Sequence, residues 1–110
     1  MVSITQFTEM SLAKPNASEH PHFENISFKA KNKIFATLNP TEIRACLKFT
    51  TEQQAHYCAI DENLIFPVPN KWGAHGWTLV NLKLIDTDLL QEVLDLAYSN
   101  VVNPKPKKVK

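Results

Sequence analysis

The stretch Ser27-Phe28-Lys29-Ala30-Lys31-Asn32-Lys33-Ile34-Phe35-Ala36-Thr37-Leu38, followed by Arg44-Ala45-Cys46-Leu47-Lys48-Phe49, decides the fold class. Phe28 and Ala30 alternate with Lys29 and Lys31. Ile34, Ala36 and Leu38 then alternate with Lys33, Phe35 and Thr37. Ala45, Leu47 and Phe49 do the same against Arg44, Cys46 and Lys48. A period of two places successive side chains on opposite faces of a strand. Asn32 tolerates the left-handed backbone of a tight hairpin, and Asn39-Pro40-Thr41 supplies a second turn. The pattern predicts a three-stranded antiparallel meander with one apolar face.

Working outward, Ser3 and Gln6 have capping-box spacing ahead of a short helix that runs to Ala13 and stops at Lys14-Pro15-Asn16. The polar stretch through His20-Pro21-His22 offers no period and is left without regular structure. Thr50 and Gln53 repeat the capping spacing and open a helix to about Ile60. Leu64 to Val68, closed by Pro67 and Pro69, reads as an edge strand. Asn70 to Gly76, which holds both glycines of the chain, reads as a loop. Trp77 to Leu82 is a fifth strand, with Trp77 expected in the core. Asp86 caps a last helix whose apolar stripe is Leu89, Leu90, Val93, Leu94, Ala97 and Val101. The expected fold is α+β and two-layered: an antiparallel five-stranded sheet with helices on one face, in the order α-β-β-β-α-β-β-α. Residues 1–103 form one domain, and 104–110 are a flexible Lys-rich tail.

At 110 residues, 44% hydrophobic and 21% charged, the chain has the composition of an ordinary globular domain. Two glycines are too few for a phosphate-cradling loop or a dinucleotide fingerprint. No apolar run approaches a membrane span, and the N-terminus lacks a secretion signal. Cys46 and Cys58 are expected to be reduced thiols in a cytoplasmic protein.

The formal charge of +1 conceals a partition. Residues 29–48 carry Lys29, Lys31, Lys33, Arg44 and Lys48 against Glu42 alone. Residues 49–98 set Lys71 and Lys83 against seven acids, and the tail adds Lys105, Lys107, Lys108 and Lys110.

Taken in order, Pro21-His22-Phe23, Phe28 and Lys33-Ile34-Phe35-Ala36-Thr37-Leu38 resemble the early half of the MmcQ/YjbR family. Pro67-Val68-Pro69, Trp72-Gly73, Gly76-Trp77, Val80-Asn81-Leu82 and Leu89-Leu90 through Ala97-Tyr98 resemble its later half. The resemblance covers roughly residues 15–103. It implies a secretion-chaperone-like α+β fold and a DNA-binding role described for the family as a predicted double-wing motif. Asn81 stands where many members have Asp, so no carboxylate role carries over to it. The segment before Pro15 is also short for the family.

The alternation predicts that Lys29, Lys31, Lys33, Arg44 and Lys48, with Phe35 among them, lie on the sheet face away from the helices. Cations there neutralise phosphate and an aromatic stacks on a base, although lysines also serve to keep sheets soluble. Lys71, Trp72 and His75 on the glycine-bearing loop are candidate further contacts. Arg44 is the sole arginine, and arginine is the usual reader of guanine, so little sequence preference is expected. The alternative is a protein-interaction or chaperone-like module using the open face or a dimer interface. Among His20, His22, His56, His75, Cys46 and Cys58, no spacing suits a structural metal, and no nucleophile elbow is present. No metal, no cofactor, no membrane partner and no enzymatic activity are therefore expected.

Overall fold

In a computed structural model, which describes residues 1–103, local capping chemistry sets where the main helices start. Helix α1 (Ile4–Leu12) begins where Ser3 Oγ accepts the Gln6 N–H at 3.1 Å and Gln6 Oε1 accepts the Ser3 N–H at 3.4 Å. Helix α2 (Thr51–Cys58) repeats the box with Thr50 and Gln53, at 3.1 and 2.9 Å. Each box satisfies two N–H groups that a helix start otherwise leaves unpaired. A short helix α3 (Lys71–Ala74) starts at Asn70, whose Oδ1 accepts the Trp72 N–H at 2.8 Å. Helix α4 (Thr87–Val102) is capped by Asp86, which accepts the Leu89 N–H at 2.7 Å.

Six strands, β1 (Ser18–His22), β2 (Asn25–Ala30), β3 (Lys33–Asn39), β4 (Arg44–Lys48), β5 (Ile65–Pro67) and β6 (Trp77–Asn81), form one antiparallel sheet. Its spatial order is β1-β2-β3-β4-β6-β5. The expected five strands are thus corrected to six, and the expected order gains β1 and α3. All five residues of β1 are exposed, so the strand has no apolar alternation to betray it. Backbone pairing with β2, from Ser18 opposite Lys29 to His22 opposite Asn25, is what defines it. The expected 70–76 loop contains α3. The 104–110 tail lies outside the described residues.

The hairpin between β2 and β3 turns on Lys31 and Asn32, both with positive φ (52° and 64°), as a two-residue turn matched to strand twist requires. One residue further on, the register slips: Phe28 faces Ala36, but Lys29 faces Ile34. Phe35 is the extra residue of a β-bulge. It turns inward, fully buried, edge-on to Tyr98 of α4 with ring centroids 5.4 Å apart.

One face of the sheet carries the core. Phe28, Ala36, Leu47 and Thr78 form one row across it, and Ile26, Leu38, Ala45, Val80 and Ile65 the next. Helix α4 lies across β2, β3 and β4 with Leu90, Val93, Leu94, Ala97 and Val101 buried. Phe7 of α1 meets Phe28 at 5.7 Å, and Tyr57 of α2 meets Phe49 at 5.7 Å. The helical stripe and the strand alternation therefore bury against each other.

Candidate functional site

Cross-strand partners share a face, so the register also defines the other side of the sheet. His20, Ser27, Thr37, Cys46, Leu79 and Phe66 form its central row, spanning all six strands. Lys29 stands beside Ile34, Lys48 beside Trp77, and Arg44 between Asn39 and Asn81. Glu19 is the one acidic residue in the six strands, and its partner Phe28 puts it on the helix-covered side. Strand positions of the open face thus present Lys29, Arg44 and Lys48 with no carboxylate among them.

Near the middle of this face is a groove of about 390 Å³, lined by His22, Ile34, Thr37, Cys46, Val68, Trp72 and Trp77. Helix α3 supplies Trp72 to this lining. Trp72 is 56% exposed, and Gly73 directly after it lies so close to β5's exit that a Cβ would stand 1.9 Å from the Val68 carbonyl oxygen. Gly76 ends the segment at φ +103°, pressed against Phe49, and its carbonyl accepts the Phe49 N–H at 3.2 Å. The chain's two glycines thus let α3 sit tight against the sheet. Gln54 of α2 holds the same segment from the core side, its amide donating to the Gly73 and Trp77 carbonyls at 2.9 and 3.1 Å.

Lys48 fastens the wall as well. Its ammonium donates to the His75 carbonyl at 3.0 Å and sits 5.3 Å from the centroid of the Trp77 ring. At the floor, burial pushes the Cys46 thiol up to about 11, against the smaller opposing effects of a hydrogen bond from the Thr78 backbone, the Arg44 charge and a hydrogen bond with Thr37. The thiol is therefore protonated at neutral pH, and a protonated thiol is a poor nucleophile. Burial raises Cys58 too. Among the described residues, no group of three His, Cys, Asp or Glu side chains is arranged to hold a metal ion.

Of the expected contact residues, Lys29, Arg44 and Lys48 share the open face, with Trp72 over it and Lys71 and His75 exposed on the same short segment. Three others do not. Lys31 sits in the hairpin turn, and its ammonium donates at 3.3 Å to the carbonyl of Val102, the last residue of α4. Lys33 pairs with Ala30, which is buried on the helix side. Phe35 is in the core. The bulge causes the last two corrections, because one extra residue inverts the alternation on its N-terminal side. Trp77, expected in the core, lines the groove instead. Ile34, expected on the apolar face with Ala36 and Leu38, is turned by the same bulge to the open face, where it lines the groove. The register that joins Thr37 to Cys46 brings those two side chains to the same lining.

The YjbR family model matches residues 12–100. A crystal structure of a Deinococcus radiodurans protein assigned to the DUF419 domain is similar, with a TM-score of 0.84 at 23% identity, over 97% of this chain and 84% of that one. At that identity the likeness speaks for the fold. No curated protein matches the chain.

Proposed function

The chain belongs to the YjbR family, and from that premise we propose that it binds nucleic acid, weakly and with little sequence preference, through the open sheet face. The observation that carries this reading is the charge of that face. Lys29, Arg44 and Lys48 share the face that carries the tryptophan-lined groove, and the strands contribute no carboxylate to oppose them. Cations on rigid strands supply the phosphate contacts, and aromatic walls supply sequence-tolerant stacking. With Arg44 as the sole arginine, bidentate reading of guanine has one candidate at most. DNA is the expected polymer, and the protein acts as a non-enzymatic binding module in the cytoplasm. The protonated Cys46 supports the non-enzymatic part. No helix among the described residues is long and apolar enough to cross a membrane.

The apolar lining of the groove favours a second reading, capture of a protein segment bearing a large apolar side chain. A salt titration separates the two. Phosphate contacts make log affinity fall linearly with log salt. Absence of detectable DNA binding at low salt, or affinity indifferent to salt, leaves the protein-partner reading in its place.

A further inference from the structure

We propose that the groove is a pocket for one unpaired base of single-stranded DNA, so that the protein prefers single strands to duplex. The inference rests on the nucleic-acid reading above and deepens it. A groove of about 390 Å³ lies at the small end of ligand clefts, which run from about 300 to 1,000 Å³. It suits a single ring system and is too small for a base pair. Trp72 offers a half-exposed indole, and Trp77 and Ile34 add apolar surface to the same lining. The cations are placed in register with this lining: Lys29 is the cross-strand partner of Ile34, Lys48 of Trp77, and Lys71 precedes Trp72 in α3. A base in the groove therefore has its flanking phosphates beside ammonium groups.

Only an unpaired base can reach such a position, because duplex bases are stacked and hydrogen-bonded within the helix. Most of the lining is the apolar surface of Ile34, Val68, Trp72 and Trp77, and stacking on an aromatic face is open to any base. The site accordingly accepts every base. DNA is carried over from the nucleic-acid reading on which this inference rests, and the matching RNA strand is the probe that tests that choice.

The experiment compares four probes of equal length at low salt: single-stranded DNA of mixed sequence, the same strand made abasic, its duplex, and the matching RNA. Binding is read by tryptophan quenching and by anisotropy. The intact single strand is expected to bind most tightly and to quench. Trp72→Ala is expected to weaken it by about 5- to 150-fold, the range that stacking free energies of aromatic side chains convert to. Trp72→Phe is expected to restore most of the loss. Because Trp72 is half-exposed, both variants should fold, which circular dichroism verifies. Equal affinity for the abasic and intact strands, or for duplex and single strand, overturns the base pocket while leaving the charged face standing. RNA binding as tight as DNA overturns the choice of sugar. Loss of all salt-dependent binding overturns the nucleic-acid reading itself.

Discussion

Lys48 and Trp77 face each other across β4 and β6, with the ammonium 5.3 Å from the indole centroid and 3.0 Å from the His75 carbonyl that follows α3. One lysine thus joins the sheet to the wall of the groove. Lys48→Met is expected to cost about 1 kcal/mol of stability, the scale of a partly exposed charged hydrogen bond plus a cation–π contact. A double-mutant cycle with Trp77→Leu should return a coupling of about 0.5–1 kcal/mol in urea unfolding. Additive effects would mean that the two side chains do not interact.

Gly76 holds the other end of the same segment. At φ +103° an L side chain is strained, and its Cβ would stand 2.0 Å from the Phe49 carbonyl oxygen. Gly76→Ala is expected to destabilise by roughly 2–4 kcal/mol, because neither backbone can yield without moving β4. Trp72 quenching by ligand should weaken with it. An alanine variant as stable as the parent would show that this turn is not constrained as described.

Phe35 tests the β-bulge. Side-chain alternation places it on the open face, where truncation would hardly affect stability. The bulge buries it against Tyr98, so Phe35→Ala is expected to cost about 3–5 kcal/mol and Phe35→Leu much less. A loss below about 1 kcal/mol would return Phe35 to the surface.

These residues also mark how far the fold and the site can be read from sequence. Ser3, Thr50 and Asp86 announce their helices because capping is a short-range interaction written in three or four neighbouring residues. The stripe of α4 and the alternation in β4 are equally local. The bulge is not, since it exists only in the register between β2 and β3 and no single strand records it. Strand β1 is hidden for a related reason: Ser-Glu-His-Pro-His buries nothing, and it is its pairing with β2, joined by the Ser27 hydroxyl on the His20 carbonyl, that defines it. The groove needs the same long-range information, because Ile34, Cys46, Trp72 and Trp77 converge only once four elements are assembled. Charge clustering points to residues 29–48, and the register divides their side chains between the two faces of the sheet.

Cys46 gives the pH dependence. Its thiol ionises near 9 when unfolded and at about 11 when folded. Its contribution is fully present below about pH 9, and stability falls as pH rises through 11, because the unfolded chain loses the proton first. Two pKa units correspond to roughly 2–3 kcal/mol at the alkaline limit. Urea midpoints between pH 8 and 10.5 should fall more steeply for the parent than for Cys46→Ala. Parallel slopes would place the thiol in water.

The last expectation sorts the five basic residues of 29–48 by what the register does with them. Lys29 and Arg44 lie on the open face, and neither forms an ion pair with a carboxylate of the described residues. Lys31 is committed to the Val102 carbonyl, where a cation complements the negative end of α4. Lys33 shares its row with Ala30 on the helix side. Lys29→Gln and Arg44→Gln should each weaken single-stranded DNA binding and flatten its salt dependence, while leaving thermal stability unchanged. With Lys29, Arg44 and the exposed Lys71 all on phosphate, the slope of log affinity against log salt is expected at about −2, and each glutamine should remove roughly 0.7 from it. Lys31→Gln should do the reverse: it lowers stability by about 0.5–1 kcal/mol, a typical helix-terminus effect, and leaves the slope alone. Lys33→Gln should change neither. Equal loss of affinity from Lys31→Gln and Lys29→Gln would show that charge acts through the domain as a whole and not through this face.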